Sequence, residues 1–349
     1  MCEKCFRSRW EYSSRPHVHL SVAQAECLDR LKTGMAAGDW PMEEAACICG
    51  AAPCSSDAYL LARRDRYGLA VGTWLSRRSG ILWTSPRFTD LSLNRFYSEG
   101  PFQRIYRGPN DRVCWRFAKQ IGHGIELREF LQKHLPEFTP AGKTVFDVGC
   151  GAGGCLEPFR EEGAQVYGCD LGGGKYLEFG RMHGLHLVSG SAGQLAPFGQ
   201  ADLVILSHVL EHSPAPLEML RQIRGILKPD GLLAIEVPGI KNLASYHSDL
   251  MRYLQNSHLF HFSAGTLSAT ARLAGFTTIA TTETVRGLFK PTEDNSEATW
   301  DSAEAAEILK YLGGQETSFR LRRMRGRALQ AISYSRKVAR WIRRRLRQW

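Results

Sequence analysis

The chain reads as an α/β protein built on a doubly wound, mostly parallel sheet, and three observations predict this. Residues 144–159, T-V-F-D-V-G-C-G-A-G-G-C-L-E-P-F, run from a short apolar strand through Asp147 into a turn at Gly149, Gly151, Gly153 and Gly154. A helix start follows, and strand, glycine turn, helix is how an open sheet offers backbone N–H groups to a nucleotide-like ligand. Q-V-Y-G-C-D then reads as a second strand ending in an acid, Asp170. Apolar strand-like runs alternate with helical patterns from there to about residue 290. That alternation is the signature of parallel strands joined by crossover helices.

Composition sets the frame for these motifs. The 349 residues allow about two domains. A hydrophobic share of 43% with 23% charged residues is ordinary for a globular protein. No apolar run reaches the ~20 residues of a membrane span, and M-C-E-K-C-F-R-S-R-W lacks a secretory apolar stretch. Both point to a cytoplasmic protein. The net charge of +10 is concentrated in residues 316–349, where twelve Arg or Lys face one acid. The other residues carry 33 basic and 34 acidic groups, so the basic pI describes the tail and not the core. Ten cysteines are present, and Cys150, Cys155 and Cys169, beside the glycine turn, read as reduced, small apolar residues.

Taken in order, residues 1–45 form an N-terminal extension with helical spacing over 22–35 through Val22, Ala25, Leu28 and Leu31. Cys2 and Cys5 make half a metal site at most. Residues 46–108 carry C-I-C-G-A-A-P-C, D-R-Y-G-L and L-S-R-R-S-G-I-L-W-T-S-P-R. This text resembles the zinc-ribbon module that precedes the methyltransferase domain in a bacterial group, some members of which methylate sugar nucleotides or saccharides. In that alignment the second ligand pair falls on Ser76 and Ser79, and the first on Ala46 and Cys49, with Cys47 and Cys54 out of register. A protonated serine hydroxyl is a poor zinc ligand, so the module is expected to be degenerate, with no metal.

A helix is expected over 122–138, with Ile125, Leu127, Phe130, Leu131 and Leu135 as its apolar positions. The glycines after it fit two cofactors. Gly149, Gly151 and Gly154 satisfy the dinucleotide spacing of a dehydrogenase. Asp147, Gly149, Gly151 and Gly153 satisfy D-x-G-x-G-x-G, which looks like the first motif of class I S-adenosylmethionine (SAM) methyltransferases. Asp170 can accept from both ribose hydroxyls of either cofactor and would repel the phosphate of NADP. The blocks H-L-V-S-G-S-A-G-Q-L, A-D-L-V-I-L-S-H-V-L-E-H and L-K-P-D-G-L-L-A-I-E-V-P decide the matter. In order and separation they resemble the later motifs of class I SAM methyltransferases, and the resemblance covers residues 122–290.

That resemblance implies a Rossmann-like sheet of order 3-2-1-4-5-7-6 with strand 7 antiparallel. It implies SAM as cofactor, with Asp147, Gly149, Cys150, Gly151 and Gly153 at its amino-acid end and Asp170 on the ribose. Leu171 would pack on the adenine, Ser191 and Ala192 would lie at the adenine edge, and Ser207 would floor the methyl pocket with His208. It also points to an acceptor site at His258 and His212, where a hydroxyl acceptor needs its proton removed. His258 is the first candidate for general base and His212 the second. Similar enzymes carry an acid where Ser257 stands here.

Residues 239–256 read as a helical lid over the acceptor, 266–274 as a helix, and 276–290 as two strands joined by a turn. Residues 304–349 are expected to form C-terminal helices, a short one over 304–312 ended by Gly313-Gly314 and then a basic amphipathic one. Its stripe is Leu321, Met324, Ala328, Ala331, Ser335, Val338 and Ile342, with Trp341 and Trp349 suited to a membrane interface. The function expected is SAM-dependent methylation of a small molecule, a saccharide or its nucleotide- or lipid-linked form. A non-catalytic SAM-fold protein and an RNA methyltransferase are the alternatives, and the near-neutral core argues against nucleic acid.

Overall fold

The computed structural model describes residues 15–98, 100–108, 111–172, 174–293 and 299–345, with the side chains of 107 and of 326–345 outside the description. Cys2, Cys5 and Trp349 therefore lie outside the described residues, as does the side chain of Trp341. Helix α1 (Val22–Ala37) opens on a capping box, in which Ser21 accepts from the Gln24 N–H and the Gln24 side chain accepts from the Ser21 N–H. It closes on Gly38 at φ 86°, a left-handed cap that glycine adopts without a steric penalty. Its buried stripe is Cys27, Leu28 and Leu31, whereas Val22 faces solvent.

The N-terminal module is a small β-structure. Strands β1 (Met42–Glu43), β2 (Ala58–Ala62), β3 (Thr73–Ser76), β4 (Leu82–Thr84) and β5 (Arg87–Phe88) precede helix α2 (Asp90–Ser98). β1 pairs with β5, while β2, β3 and β4 form an antiparallel meander. The sequence register of the ribbon needs one correction. Cys47 sits 4.0 Å from the Ser79 hydroxyl and Cys49 3.0 Å from that of Ser76, while Ala46 and Cys54 are exposed. Two thiols and two hydroxyls thus converge beside the turn between β3 and β4. Burial pushes the Cys47 thiol up, and Cys47, Ser76 and Ser79 outweigh burial to hold Cys49 down to about 5.

The main domain starts with α3 (Val113–His134), nine residues earlier than the sequence suggests. Leu127, Phe130 and Leu131 are buried as expected, while Ile125 is exposed. The domain continues with β6 (Thr144–Val148), α4 (Glu157–Glu161), β7 (Gln165–Asp170), α5 (Gly174–Met182), β8 (His186–Ser189), β9 (Ala201–Ser207), α6 (Pro216–Ile226) and β10 (Leu227–Glu236). After α7 (Leu250–Tyr253) and β11 (Phe260–His261) come α8 (Ala264–Leu273), β12 (Phe276–Thr281) and β13 (Arg286–Pro291). The seven-stranded sheet runs β12-β13-β10-β9-β6-β7-β8. Strands β6 to β10 are parallel, and β13 is antiparallel to both neighbours. This is the 3-2-1-4-5-7-6 order. Strands β6, β9 and β10 are covered on both faces, which is why L-V-I-L reads as an unbroken apolar run and Val145, Phe146 and Val148 flank a buried Asp147.

Two expected helices differ. Residues 239–256 do not form one helix: His247 and Ser248 adopt positive φ (57° and 54°) and separate a short 3₁₀ turn, Leu243–Tyr246, from α7. Ile240, Leu243, Leu250, Met251 and Leu254 pack into one cluster with Leu61 and Leu82 of the N-terminal module. The segment is a buried bed and not a free lid. In contrast, α9 (Ser302–Arg345) passes straight through Gly313-Gly314 as one 44-residue helix. A Gly pair ends a helix only where the chain turns left-handed, and here Leu312 is buried on one side and Glu316 on the other. Its first turns are docked by Ala305, Ile308 and Leu312 and by Lys241, which reaches Glu304 at 2.8 Å and Glu307 at 3.1 Å.

Candidate active site

The glycine turn lies at the carboxyl ends of β6 and β7, where ligands bind in open parallel sheets. Gly149 has φ 78°, and a Cβ there would meet Val209 Cγ2 at 2.3 Å. The turn is pinned from below: the Gly149 and Cys150 N–H groups both donate to the Cys169 carbonyl. From above, α3 supplies Gln120, whose amide donates to the Cys150 carbonyl at 2.8 Å and accepts from the Gly154 N–H at 3.4 Å. Helix and loop approach so closely that a Cβ on Gly124 would sit 2.5 Å from the Cys155 carbonyl oxygen. Gln120 and Gly124 carry no signal outside the helix pattern, so sequence reading misses them.

The predicted cofactor residues divide into groups. Asp147 is buried at the end of β6, and burial together with the negative charge of Asp170 lifts its carboxyl to about 8. Asp170 accepts from the Gly151 N–H at 2.9 Å and the Gly172 N–H at 2.6 Å, which fixes its carboxylate at the mouth of the turn. Leu171 beside it is 81% exposed. Gly190 donates to the Asp170 carbonyl and so brings Ser191, exposed, and Ala192, buried, alongside. Gly151 and Gly153 hold positive φ within the turn. Cys150 does not offer its side chain: the thiol is buried against Gly168, where a Cβ would meet its sulfur at 2.8 Å. It serves the site by shaping the turn.

Beside the turn, across the ends of β9 and β10, lies a chain of histidines and carboxylates. Glu236 accepts from Ser207 Oγ (3.1 Å), lies 3.0 Å from His123 Nδ1 and is clamped by Arg286 at 3.0 and 3.1 Å. Burial works against its charge, but His123, His208 and Arg286 outweigh that and hold the carboxyl at about 2. His208, the last residue of S-H, turns left-handed (φ 56°) and donates its N–H to the Glu236 carbonyl. Its side chain is 42% exposed and lies 3.5 Å from Glu211. Partial burial opposes its protonation, and Glu211 and Glu236 raise its pKa nonetheless.

Glu211 is the centre of the second half. It is buried, neither carboxylate oxygen has a hydrogen-bond partner, and three imidazoles face it: His208, His212 at 3.7 Å and His258 at 3.9 Å. His212 Nδ1 is 2.6 Å from the Ser257 carbonyl and 3.1 Å from the Tyr97 hydroxyl. His258 is buried behind it, against the Gln255 amide. Burial, then the neighbouring charges of His212 and His261, push its pKa well below the ordinary range. A group so covered and so hard to protonate is poorly placed as the first general base. Sequence reasoning singled out both histidines but missed Glu211, although it stands directly before His212 in L-E-H.

The N-terminal module builds the far wall of this site. β11 pairs with β4 as the edge strand of the ribbon sheet, and Thr84 Oγ1 donates to the His258 carbonyl at 2.8 Å. Asp65, in the D-R-Y-G turn, accepts from the Tyr67, Leu69 and Asn256 N–H groups at 2.9–3.0 Å. Tyr106 donates to the Asn256 side chain. Residues 254–261 are therefore held between two modules that the sequence presents as separate.

A family model described as "Methyltransferase domain" matches residues 121–281, the stretch from the middle of α3 to the end of β12. Residues 121–281 are a class I SAM-dependent methyltransferase domain. The domain is similar to a "Ubiquinone biosynthesis O-methyltransferase" of Vibrio campbellii, 35% identical over 115 residues, 30% of this chain and 47% of that protein. A protein of the same name from Pseudomonas paraeruginosa is 40% identical over 101 residues, 26% of this chain and 42% of its own. The chain thus spans about half the length of the curated relatives it matches. Among solved structures, magnesium protoporphyrin IX methyltransferase of Synechocystis, with bound S-adenosylhomocysteine, is similar at a TM-score of 0.42 and 19% identity. That match covers 57% of this chain and 96% of that one. The 1,6-didemethyltoxoflavin-N1-methyltransferase of Burkholderia thailandensis gives 0.43 and 19%, over 58% and 89%.

SAM, the cofactor of such domains, fits the methyltransferase domain's own residues. It brings a cationic amino-acid end, and the turn offers a buried acid, Asp147, whose raised pKa a cation would reverse. It brings a ribose, and Asp170 is already aimed by two N–H groups with lone pairs to spare.

Proposed function

We propose that this chain transfers a methyl group from SAM to a hydroxyl of a small molecule, a saccharide or its nucleotide- or lipid-linked form. The observation that carries the reading is the adjacency of two half-sites: the glycine turn with Asp147 and Asp170, and the Glu211–His212–His258 cluster one strand away. SAM supplies an already activated electrophilic methyl group, so the protein's work is alignment, exclusion of water and handling of the acceptor's proton. A hydroxyl needs that last service, and the cluster is where polar groups converge to give it. O-methyl transfer is also what the names of the curated relatives state of those proteins. The saccharide class rests on the likeness of the N-terminal module, which walls the acceptor side.

The two histidines keep the roles assigned to them in reverse order. His212, with its side chain 24% exposed, meets the acceptor, and His258 stands behind it. The cytoplasm, with the basic end of α9 on anionic lipid, fits a lipid-linked acceptor, and no helix among the described residues is long and apolar enough to cross a membrane. The test is transfer of labelled methyl from SAM into fractionated saccharide, lipid, quinone-precursor and RNA pools. Label in the saccharide-bearing fractions, falling on the order of 10²-fold in His212→Ala with SAM affinity unchanged, is expected. Label confined to RNA would refute the acceptor class. SAM binding with no label in any pool would favour a non-catalytic SAM-binding protein.

A further inference from the structure

Most buried polar side-chain atoms left without a hydrogen bond among the described residues fall in one patch. They are both oxygens of Glu211, Gln255 Oε1, Asn256 Nδ2, Ser257 Oγ, His258 Nδ1 and both ring nitrogens of His261. Unmet buried polar groups each cost about 1–3 kcal/mol, so a concentration of them points to a polar occupant.

The tautomers sharpen this. His212 Nδ1 faces a carbonyl, Ser257 O, at 2.6 Å, and a carbonyl can only accept. Nδ1 therefore carries a proton, and Nε2, which faces Glu211, is the ring atom through which an ion would be bound. His258 presents the same atom, Nε2, to the same Glu211 oxygen. Three electron-pair donors, Glu211 Oε1, His212 Nε2 and His258 Nε2, thus converge with their ligand atoms all within 4.8 Å of one another. The Gln255 amide is the group now reaching His258 Nε2, and its own oxygen has no partner. Moving that side chain away from His258 would free the imidazole Nε2.

We propose that Glu211, His212 and His258 form a divalent transition-metal site, a two-histidine, one-carboxylate set suited to zinc or a first-row ion of similar size. Ligands about 2.0–2.2 Å from a tetrahedral ion lie about 3.3 Å from each other. The 3.7 and 3.9 Å separations reach that with movements of about half an ångström. The bond from His212 Nδ1 to a backbone carbonyl is the outer contact that orients metal-bound imidazoles and sets their tautomer. A second cluster, His123, His208 and Glu236, meets the same distance criterion and is a different case. Glu236 is already saturated by Ser207, His123 and the Arg286 guanidinium, which leaves no room for a second cation.

The inference rests on the proposed acceptor site and deepens it, because a cation held by both imidazoles would bind the acceptor's oxygen and ease loss of its proton in place of a free histidine base. The full-length protein, dialysed against chelator, is titrated with Co²⁺ and followed by visible absorption, with SAM binding measured in parallel by calorimetry. A d–d spectrum saturating at one ion per chain is expected, lost at least tenfold in affinity in Glu211→Gln and His258→Gln and retained in Cys49→Ser. Intense near-ultraviolet thiolate bands would place the ion at Cys47 and Cys49 instead and overturn the assignment. So would the absence of any spectrum from protein that still binds SAM. Failure of SAM binding itself would count against the methyltransferase reading and not against the ion.

Discussion

Asp147 is an acid whose surroundings hold a proton on it. Burial and Asp170 raise its pKa from 3.8 to about 8 in the folded chain. The unfolded chain gives up that proton near the ordinary value, so the folded state binds more protons in between. This contribution to stability is fully present below about pH 4 and is lost as pH rises toward 8. Asp147→Asn removes the titration. Chemical denaturation from pH 5 to 9 should show the wild type losing stability relative to the Asn variant across that window, with the variant the more stable at pH 9. A difference that stays constant with pH would sink this account. Gly149 poses a steric question at the same scale. Alanine there must hold φ 78° and overlap Val209 Cγ2 at 2.3 Å, which should cost about 1–3 kcal/mol. Thermal melts with and without SAM read both the strain and the weakened binding.

At the scale of elements, the turn D-R-Y-G does more than join strands of a ribbon. Asp65 spends one oxygen on its own turn and the other on the Asn256 N–H. Removing it frees a buried donor at the base of the acceptor site, a loss of about 1–3 kcal/mol. Asp65→Ala should raise hydrogen exchange in residues 254–261 by ten-fold or more while leaving β6 and β7 protected. Uniform loss of protection across the main sheet would show instead that the turn supports the whole domain. The same logic explains why His258 is a weaker candidate for the base than its motif suggests. The β4–β11 pairing covers it, and sequence spacing contains no information about a strand contributed by another module.

At the scale of the whole molecule, charge and shape separate along α9. Its first turns are docked, and from Leu321 onward the described apolar side chains, Leu321 and Met324, face solvent among arginines. An exposed basic helix with an apolar stripe binds anionic bilayers through both terms. Deleting residues 326–349 should abolish flotation with anionic liposomes and leave the SAM affinity of the domain unchanged. Unchanged flotation would assign the helix to packing or to another protein surface.

The proposed donor half is legible in the residues alone. D-x-G-x-G-x-G, Asp170 and the apolar runs of β6, β9 and β10 are local signals, since each rests on backbone geometry or on burial of one short segment. Sheet order came with the family resemblance that those signals carry, and the observed order β8-β7-β6-β9-β10-β13-β12 agrees with it. The proposed acceptor half depends on packing. Glu211, Glu236 and Asp65 act through partners 47 to 191 residues away or through groups left unpaired in a crowded interior, and no spacing rule reports that. The bed at 254–261 takes its shape from the N-terminal module, so the acceptor position proposed at His212 depends on two packed modules and not on either segment alone.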